Sequence, residues 1–395
     1  MRGAALDGLA RRLVVEVPTG APAGALPPAG VVLAVHGTEG EDVAVAGLRS
    51  LDPAEPMTPD TVHDLASVTK VAGTTAVVMH LVSEGALSLD RTVSSLLPAF
   101  VGGNKGDVTV RDLLGHRSGM APWWPLYVAA DEGAVPGSSQ AAYEVVDRLP
   151  LIGRPGAGHH YSDLGFVQLG RIVSAVTGLT LPNAVRSLVH DPLGVELGYG
   201  PVGAAPLADS APDDRVEREM LDSGVPYPVP FSSADFARWR FHPVHGQVHD
   251  GNAFHALAGV AGHAGLFGTV PDLLHLAVAL GHADRHESLW SPSVVEEFFA
   301  AGPTPISAGP QPWSQALGLR RYAVRADGRE VQVLGHPGFV GAAMAFVPGG
   351  GLALALGTNR LLRGGTPVPT ELFLREVLRV AVDPMHASTS TPFPT

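Results

Sequence analysis

Apolar residues recur at helical spacing over residues 6–17, and beyond a Pro/Gly-rich link the runs GVVLAVHG and DVAVAGLRS predict a two-stranded hairpin. In the segment TPDTVHDLASVTKVAGTTAVVMHLVSEGALSLD the apolar positions from Val68 to Leu81 predict a buried helix, which puts Ser67 in its first turn. From about residue 90 to residue 300 short helical patterns alternate with Gly/Pro loops, among them VTVRDLLGHRSGM and DLGFVQLGRIVSAVTG. Strand patterns return in EVQVLGHPG, GAAMAFVPGGG and LALALGTNR, spaced as an antiparallel meander, and TELFLREVLRVAV follows as a helix. Both ends therefore supply strands and a terminal helix, while the middle supplies helices. The expected fold is α/β: an antiparallel sheet flanked by N- and C-terminal helices, plus a mostly helical lobe, with a cleft between the two. A single unit is expected over residues 1–385, its sheet lobe at about 1–65 and 310–385 and its helical lobe at about 66–309, followed by a disordered Ser/Thr/Pro tail at 386–395.

Composition narrows the function. A chain of 395 residues with 45% hydrophobic and 16% charged positions can bury a large core, and 48 Gly with 35 Pro imply many turns. A net charge of -12 and a pI near 5.7 argue against nucleic-acid and anionic-membrane partners, which the average field would repel. The absence of cysteine excludes disulfides, thiolate zinc sites and a cysteine nucleophile. Arg11 and Arg12 interrupt the apolar stretch a secretory signal needs, and no segment reaches the ~18 apolar residues of a membrane span, so a soluble, cytoplasmic protein is expected.

A serine hydroxyl is a poor nucleophile until a neighbouring base takes its proton, and on a helix the residue three positions later shares its face. Ser67-Val68-Thr69-Lys70 has that spacing, and a helix N-terminus would leave the Ser67 N–H free for a developing oxyanion. Ser-x-x-Lys alone arises by chance, and a lysine snorkelling from a core helix is the bland alternative. Residue usage tells against it: of 26 cationic residues only Lys70 and Lys105 are lysine. A lysine inside an apolar helix, where burial can depress its pKa toward that of a base, answers to chemistry rather than solubility. Tyr161-Ser162-Asp163 in HHYSDLGF and His336-Pro337-Gly338 in GHPGFVGA follow downstream.

These three motifs, in this order and at about these separations, resemble the active-site elements of the penicillin-recognising, serine β-lactamase-like superfamily, in its branch of class C β-lactamases, D,D-carboxypeptidases and related esterases. The likeness spans nearly the whole chain and includes the flanks PMTPDTVHDLASVTKV, VTVRDLLGHRSGM and GQVHDGNAFHALAGVAGHAGLFGTVPDLLHLA. It implies a β-lactamase/transpeptidase-like fold with Ser67 as nucleophile, Lys70 as its proton acceptor or electrostatic activator, and Tyr161 as the group that shuttles a proton to the leaving atom. The oxyanion hole would be the N–H groups of Ser67 and of Phe339, on an edge strand, with Gly338 letting substrate approach the backbone. His336 stands where many relatives have lysine, so its charge depends on pH.

Two departures bear on substrate. Asp163 replaces the asparagine common in β-lactamases and cannot donate to an acylamino carbonyl when ionised. An Asp163 close to Lys70 would favour a protonated lysine and shift base duty toward Tyr161. Pro337 replaces a threonine whose hydroxyl serves substrate carboxylates. The implied activity is hydrolysis of a carboxylic ester or small amide through an acyl-enzyme, without a cofactor, on a small-molecule ester, amide or peptide. A D,D-carboxypeptidase or β-lactamase, an acyltransferase or peptide cyclase, and a silent ligand-binding domain are the alternatives.

Other features read more plainly. Seventeen histidines invite a metal, but none forms a ligand pair on one helix. His249, Asp250, Asn252 and His263 either shape the pocket or form a buried hydrogen-bonding network. Gly115-His116-Arg117-Ser118-Gly119 is one place off a nucleophile elbow and is expected as a turn near the site. Trp123, Trp124 and Tyr127 line an acyl pocket or form a core cluster. Asp213, Asp214, Glu217 and Glu219 are expected on a solvated face.

Overall fold

The computed structural model describes residues 2–130, 139–200, 205–302, 305–306, 312–326 and 329–382. The expected disordered tail lies outside the described residues. The first helix runs over Arg2–Leu13 and buries Leu6, Leu9, Ala10 and Leu13, one face at helical spacing. Val15 and Val17, which extend the apolar pattern to residue 17, are exposed, so the helix stops short of them.

Nine strands form one antiparallel sheet in the order Ala54–Pro56, Gly40–Leu51, Gly30–Gly37, Ala353–Thr358, Ala343–Phe346, Arg329–Pro337, Arg320–Ala326, Trp313–Gln315 and Pro305–Ile306. The hairpin and the C-terminal meander fall where the sequence pattern puts them. Its middle strands read as continuous apolar runs because both faces are covered. Val31, Leu33 and Val35 pack with Leu6, Leu9, Phe373 and Leu378 of the terminal helices, while Val32 and Ala34 join the core of the helical part. The same alternation sends Ala343 and Ala345 to one side and Met344 and Phe346 to the other. The last helix, Thr370–Val382, buries Leu372, Phe373, Val377 and Leu378 against the sheet. The fold is thus α/β, with an antiparallel sheet, terminal helices on one face and a largely helical part on the other. Among the described residues no single helix is long and apolar enough to cross a membrane.

Two features the sequence pattern does not disclose position the site. Val62–Asp64 pairs with Leu266–Thr269, which also pairs with Gly198–Tyr199, so the chain entering Ser67 is tied to the chain leaving His263. The strand Arg329–Pro337 is also not an edge strand, because Arg320–Ala326 lies outside it. That outer strand begins at Arg320, opposite Gly335, so His336 and Pro337 extend past it and pair only with Met344 and Ala343. The expected open edge exists, but as the overhanging end of an internal strand.

Candidate active site

Ser67 sits in a 3-10 turn, Ala66–Val68, that leads through Thr69 into a π-helical stretch, Lys70–Thr75, and then the α-helix Ala76–Ser83. The helical run is the expected one, although its first turns are not α-helical, a departure frequent at functional sites. Ala66 is held at φ 45°, a region costly for a residue with a side chain. Asp64 offsets that cost: its carboxylate accepts from Ala66 N at 2.8 Å and from His249 N at 2.7 Å. Burial pushes the Asp64 pKa up to about 6, against the lowering effect of those two hydrogen bonds.

Lys70 is fully buried. Its Nζ donates to Ser67 Oγ at 2.9 Å, lies 3.4 Å from the His263 carbonyl oxygen and meets Asp163 Oδ1 at 2.6 Å. Desolvation is the largest influence and works to lower its pKa, but the Asp163 charge, Tyr161 and their hydrogen bonds outweigh it, so the pKa stands above the ordinary lysine value. A lysine depressed by burial is therefore not what the fold builds; Lys70 is an ammonium.

Tyr161 and Asp163 come from the start of the helix Asp163–Thr177, whose N-cap Ser162 accepts from Gly165 N at 3.1 Å. The Tyr161 ring lies 5.0 Å from Lys70 Nζ, and its hydroxyl is 3.5 Å from His336 Nε2. His336 Nδ1 is 2.8 Å from the Pro337 carbonyl oxygen, which can only accept, so Nδ1 carries the proton and Nε2 accepts from Tyr161. Burial, then Arg320 and Lys70, hold the His336 pKa well below its usual value and keep the ring neutral at neutral pH.

Packing alone requires glycine at 338: a Cβ there would lie 2.6 Å from Leu65 O and 3.4 Å from Ala66 Cβ, so the chain bearing Ser67 presses on it. The Phe339 carbonyl accepts from Arg360, and the N–H groups of Ser67 and Phe339 donate to nothing among the described residues. The Phe339 side chain is 48% exposed.

Ser67, Lys70, Tyr161, Asp163 and His336 thus lie together, with Gly338 packed on the chain that bears Ser67 and Phe339 next to it in sequence. Others join them that the sequence reading did not single out. Asp64 has no motif; its only signal is an acid within the apolar run VHDLASV. Arg320, at the end of its strand, lies 5.6 Å from the Tyr161 ring and pairs with Glu371 at 2.9 Å. Tyr227, within GVPYPVPF, stacks on Trp123 at 6.1 Å and is pushed up to about 12 by burial and then by the Asp163 charge. His116, in the expected turn and at φ 52°, packs its ring 4.5 Å from Tyr161 and accepts from Ser162 N at 3.0 Å.

Of His249, Asp250, Asn252 and His263, two pair with each other, His263 Nε2 meeting Asp250 Oδ1 at 3.0 Å, while Asn252 Oδ1 accepts from Leu126 N at 2.7 Å and His249 donates its backbone N–H to Asp64. The solvated face expected at 213–219 is corrected in part. Asp214 is buried on Arg240 at 2.7 Å, and Glu217 is buried beneath Gly251, whose N–H it accepts at 2.9 Å. Burial, with Asp250 and Asp214 nearby, pushes the Glu217 pKa up to about 8. Trp123 and Tyr127 are buried; Tyr127 packs among Phe236, Trp239 and His255 as a core cluster. Among the described residues no group of three or more histidine or acidic side chains is placed to hold a metal ion.

A family profile described as Beta-lactamase matches residues 25–378. A protein of Escherichia coli (strain K12) that bears the name of a D-alanyl-D-alanine carboxypeptidase is 33% identical over 224 residues, covering 55% of this chain and 50% of that protein. The chain thus spans about half the length of that relative. The N-acetylmuramyl-L-alanine amidase of Bacillus subtilis (strain 168) is 29% identical over 318 residues, covering 76% of this chain and 68% of the amidase. The crystal structure of SurE with D-Leu superposes with a TM-score of 0.63 at 25% identity, covering 100% of this chain and 77% of SurE.

Proposed function

The chain belongs to the β-lactamase family of serine hydrolases, and we propose that it hydrolyses carboxylic esters or small amides through an acyl-enzyme on Ser67. The observation that carries the reading is the 2.9 Å contact of Ser67 Oγ with a fully buried lysine that Asp163 holds as an ammonium. An ammonium cannot take the serine proton. It lowers the energy of the alkoxide instead, and base duty passes to Tyr161, whose own proton has an acceptor in neutral His336.

In this reading Ser67 Oγ attacks the substrate carbonyl carbon. Its proton moves to Tyr161 Oη as the Tyr161 proton moves to His336 Nε2, and the oxyanion forms toward the N–H groups of Ser67 and Phe339. The C–O or C–N bond then breaks. The proton returns from His336 through Tyr161 to the leaving oxygen or nitrogen, and Ser67 remains acylated. Water adds along the same proton path, releasing the acid and restoring the serine hydroxyl. An amine or alcohol in place of water gives acyl transfer. The carboxypeptidase and amidase relatives support an amide or peptide as the second reading of substrate.

A fluorophosphonate tests the nucleophile, because only an activated serine is phosphonylated at a useful rate. One adduct is expected, at Ser67 by peptide mass spectrometry, and none in Ser67→Ala. Labelling that survives the substitution, or a native protein that takes no label, sinks the assignment.

A further inference from the structure

Residues 248–263, which the proposed proton path does not use, grip the chain that carries the nucleophile on both sides of Ser67. After Ser67, the His263 carbonyl oxygen lies 3.4 Å from Lys70 Nζ, and the Gly262 carbonyl accepts from the Thr74 hydroxyl at 2.7 Å. Before Ser67, the His249 N–H donates to Asp64 Oδ2 at 2.7 Å, while Asp64 Oδ1 accepts from Ala66 N at 2.8 Å. The His249 end is itself clamped. Arg240, buried on Asp214, donates to the Val248 and His249 carbonyls at 2.9 Å each, and the His249 ring lies 6.0 Å from that of Phe339. Asp64 joins this segment to the turn that leads into Ser67.

The Ser67 N–H belongs to the peptide that follows Ala66, so the Ala66 dihedrals set its direction. Ala66 stands at φ 45°, where a residue with a Cβ is strained. Two hydrogen bonds hold it there: Val68 N–H to the Leu65 carbonyl at 2.9 Å, and Ala66 N–H to Asp64. Releasing the second lets Ala66 relax to negative φ. That turns the Ala66–Ser67 peptide and swings the Ser67 N–H with it.

Resting on the serine-hydrolase reading above, we infer that Asp64 is a positioning residue: with one carboxylate oxygen on Ala66 N and the other on His249 N, it holds the left-handed turn that aims the Ser67 N–H at the oxyanion. It touches neither substrate nor the reacting atoms. Both oxygens must accept, so the working form is the carboxylate; a protonated carboxyl turns one oxygen into a donor that faces an N–H. Burial raises the Asp64 pKa to about 6, with Asp250 adding to the rise and the two N–H groups and Arg240 opposing it. His63 and His249 beside it are pushed by burial down to about 4 and are neutral there. Turnover is therefore lost as pH falls through about 6. Lys70 stands above the ordinary lysine value, and burial holds His116 and His336 well below that of histidine, so none of these three accounts for a change at that pH.

The test is the pH profile of kcat for p-nitrophenyl butyrate between pH 5 and pH 8, with the fold followed by near-UV circular dichroism at each pH. An acid limb near pH 6 is expected in the native protein. Asp64→Asn keeps the side chain's shape but brings one acceptor where two are needed. Its kcat at pH 7.5 is expected to fall by about tenfold or more, toward the cost of losing an oxyanion donor, with KM little changed, and the limb near pH 6 disappears. Adding Ala66→Gly to that variant recovers part of the lost kcat, because glycine adopts positive φ without a steric penalty.

A native kcat that is flat through pH 6 while the protein stays folded overturns the inference, and this measurement stands even if Asp64→Asn does not fold. An Asp64→Asn protein with the native kcat, or with the acid limb still in place, overturns it too, as does a double variant no faster than Asp64→Asn. In each of these cases fluorophosphonate labelling of Ser67 leaves the serine-hydrolase reading standing. A native protein that takes no label removes that reading and the inference with it.

Discussion

Replacing Asp163 by asparagine keeps the side chain's shape and removes its charge, which isolates what holds Lys70 protonated. At 2.6 Å and an effective dielectric of ~20, the attraction between the two charges is about 6 kcal/mol. Opposing it is the desolvation of a lysine that is fully buried, the largest single influence on that group. With the carboxylate gone, only Tyr161 still works against desolvation, and the Lys70 pKa is expected to fall below the ordinary lysine value. The chain is suited to a direct measurement, because Lys70 and Lys105 are its only lysines. Labelling lysine with 13C at Cε gives two signals, which Lys105→Arg assigns. Burial lowers the Lys105 pKa, so in the native protein Lys105 titrates at lower pH than Lys70. In Asp163→Asn the Lys70 signal moves to its neutral position below the ordinary lysine range. A neutral Lys70 is then available as a base, and the acid limb of kcat/KM follows its new pKa. A Lys70 signal that stays charged as far up the pH scale as in the native protein refutes the reasoning, and with it the transfer of base duty to Tyr161.

Two other outcomes are expected. Short-chain p-nitrophenyl esters should exceed nitrocefin in kcat/KM by about 10² or more, since Asp163 cannot donate to an acylamino carbonyl and Pro337 brings no hydroxyl to a carboxylate; if the double change Asp163→Asn with Pro337→Thr leaves nitrocefin turnover unaltered, that explanation is removed. His63, whose pKa burial lowers from 6.5 to about 4, stays neutral in the fold while the unfolded chain protonates, so stability falls as pH drops from 6.5 toward 4 by up to about 3 kcal/mol from this group; denaturant unfolding of His63→Asn at pH 7.5 and pH 4.5 should show that much less acid loss, and an unchanged loss rules His63 out as its source.

The parts of this molecule legible in the sequence are those whose signal is local. Val31 to Val35 read as a buried strand because every position is apolar, and Ser67 with Lys70 reads as a pair because three residues fix their geometry on a helix. The strands from Pro305 to Ala326 were not legible, since they are short and Arg320, Arg321 and Arg325 break their alternation. Asp64 shows the limit most clearly. Its partners are two residues away at Ala66 and 185 away at His249, and only the second gives it a structural meaning. Asp214 and Glu217 look like surface acids because their compensation comes from Arg240 and Gly251, far along the chain.

Of the differences from the family pattern, those at 163 and 336 are best understood as one change. Where relatives of the resembled pattern set two lysines and an asparagine around the serine, this chain sets Lys70, Asp163 and a neutral His336, so the formal charge of the cleft falls by two. Either substitution alone would be costly. A lysine at 336 would put a second cation near Lys70, and an asparagine at 163 would leave Lys70 without its carboxylate partner. Together they give a site in which one ammonium meets one carboxylate, and in the proposed path the serine proton runs through Tyr161 to a neutral His336. It follows that His336→Lys in the native background should impair turnover, because it returns a permanent charge to the Tyr161 acceptor, whereas the pair His336→Lys with Asp163→Asn should recover part of the loss. If the double variant is no better than His336→Lys alone, measured as kcat/KM on the same ester, the two positions are independent and the neutral relay is not what this cleft is built around.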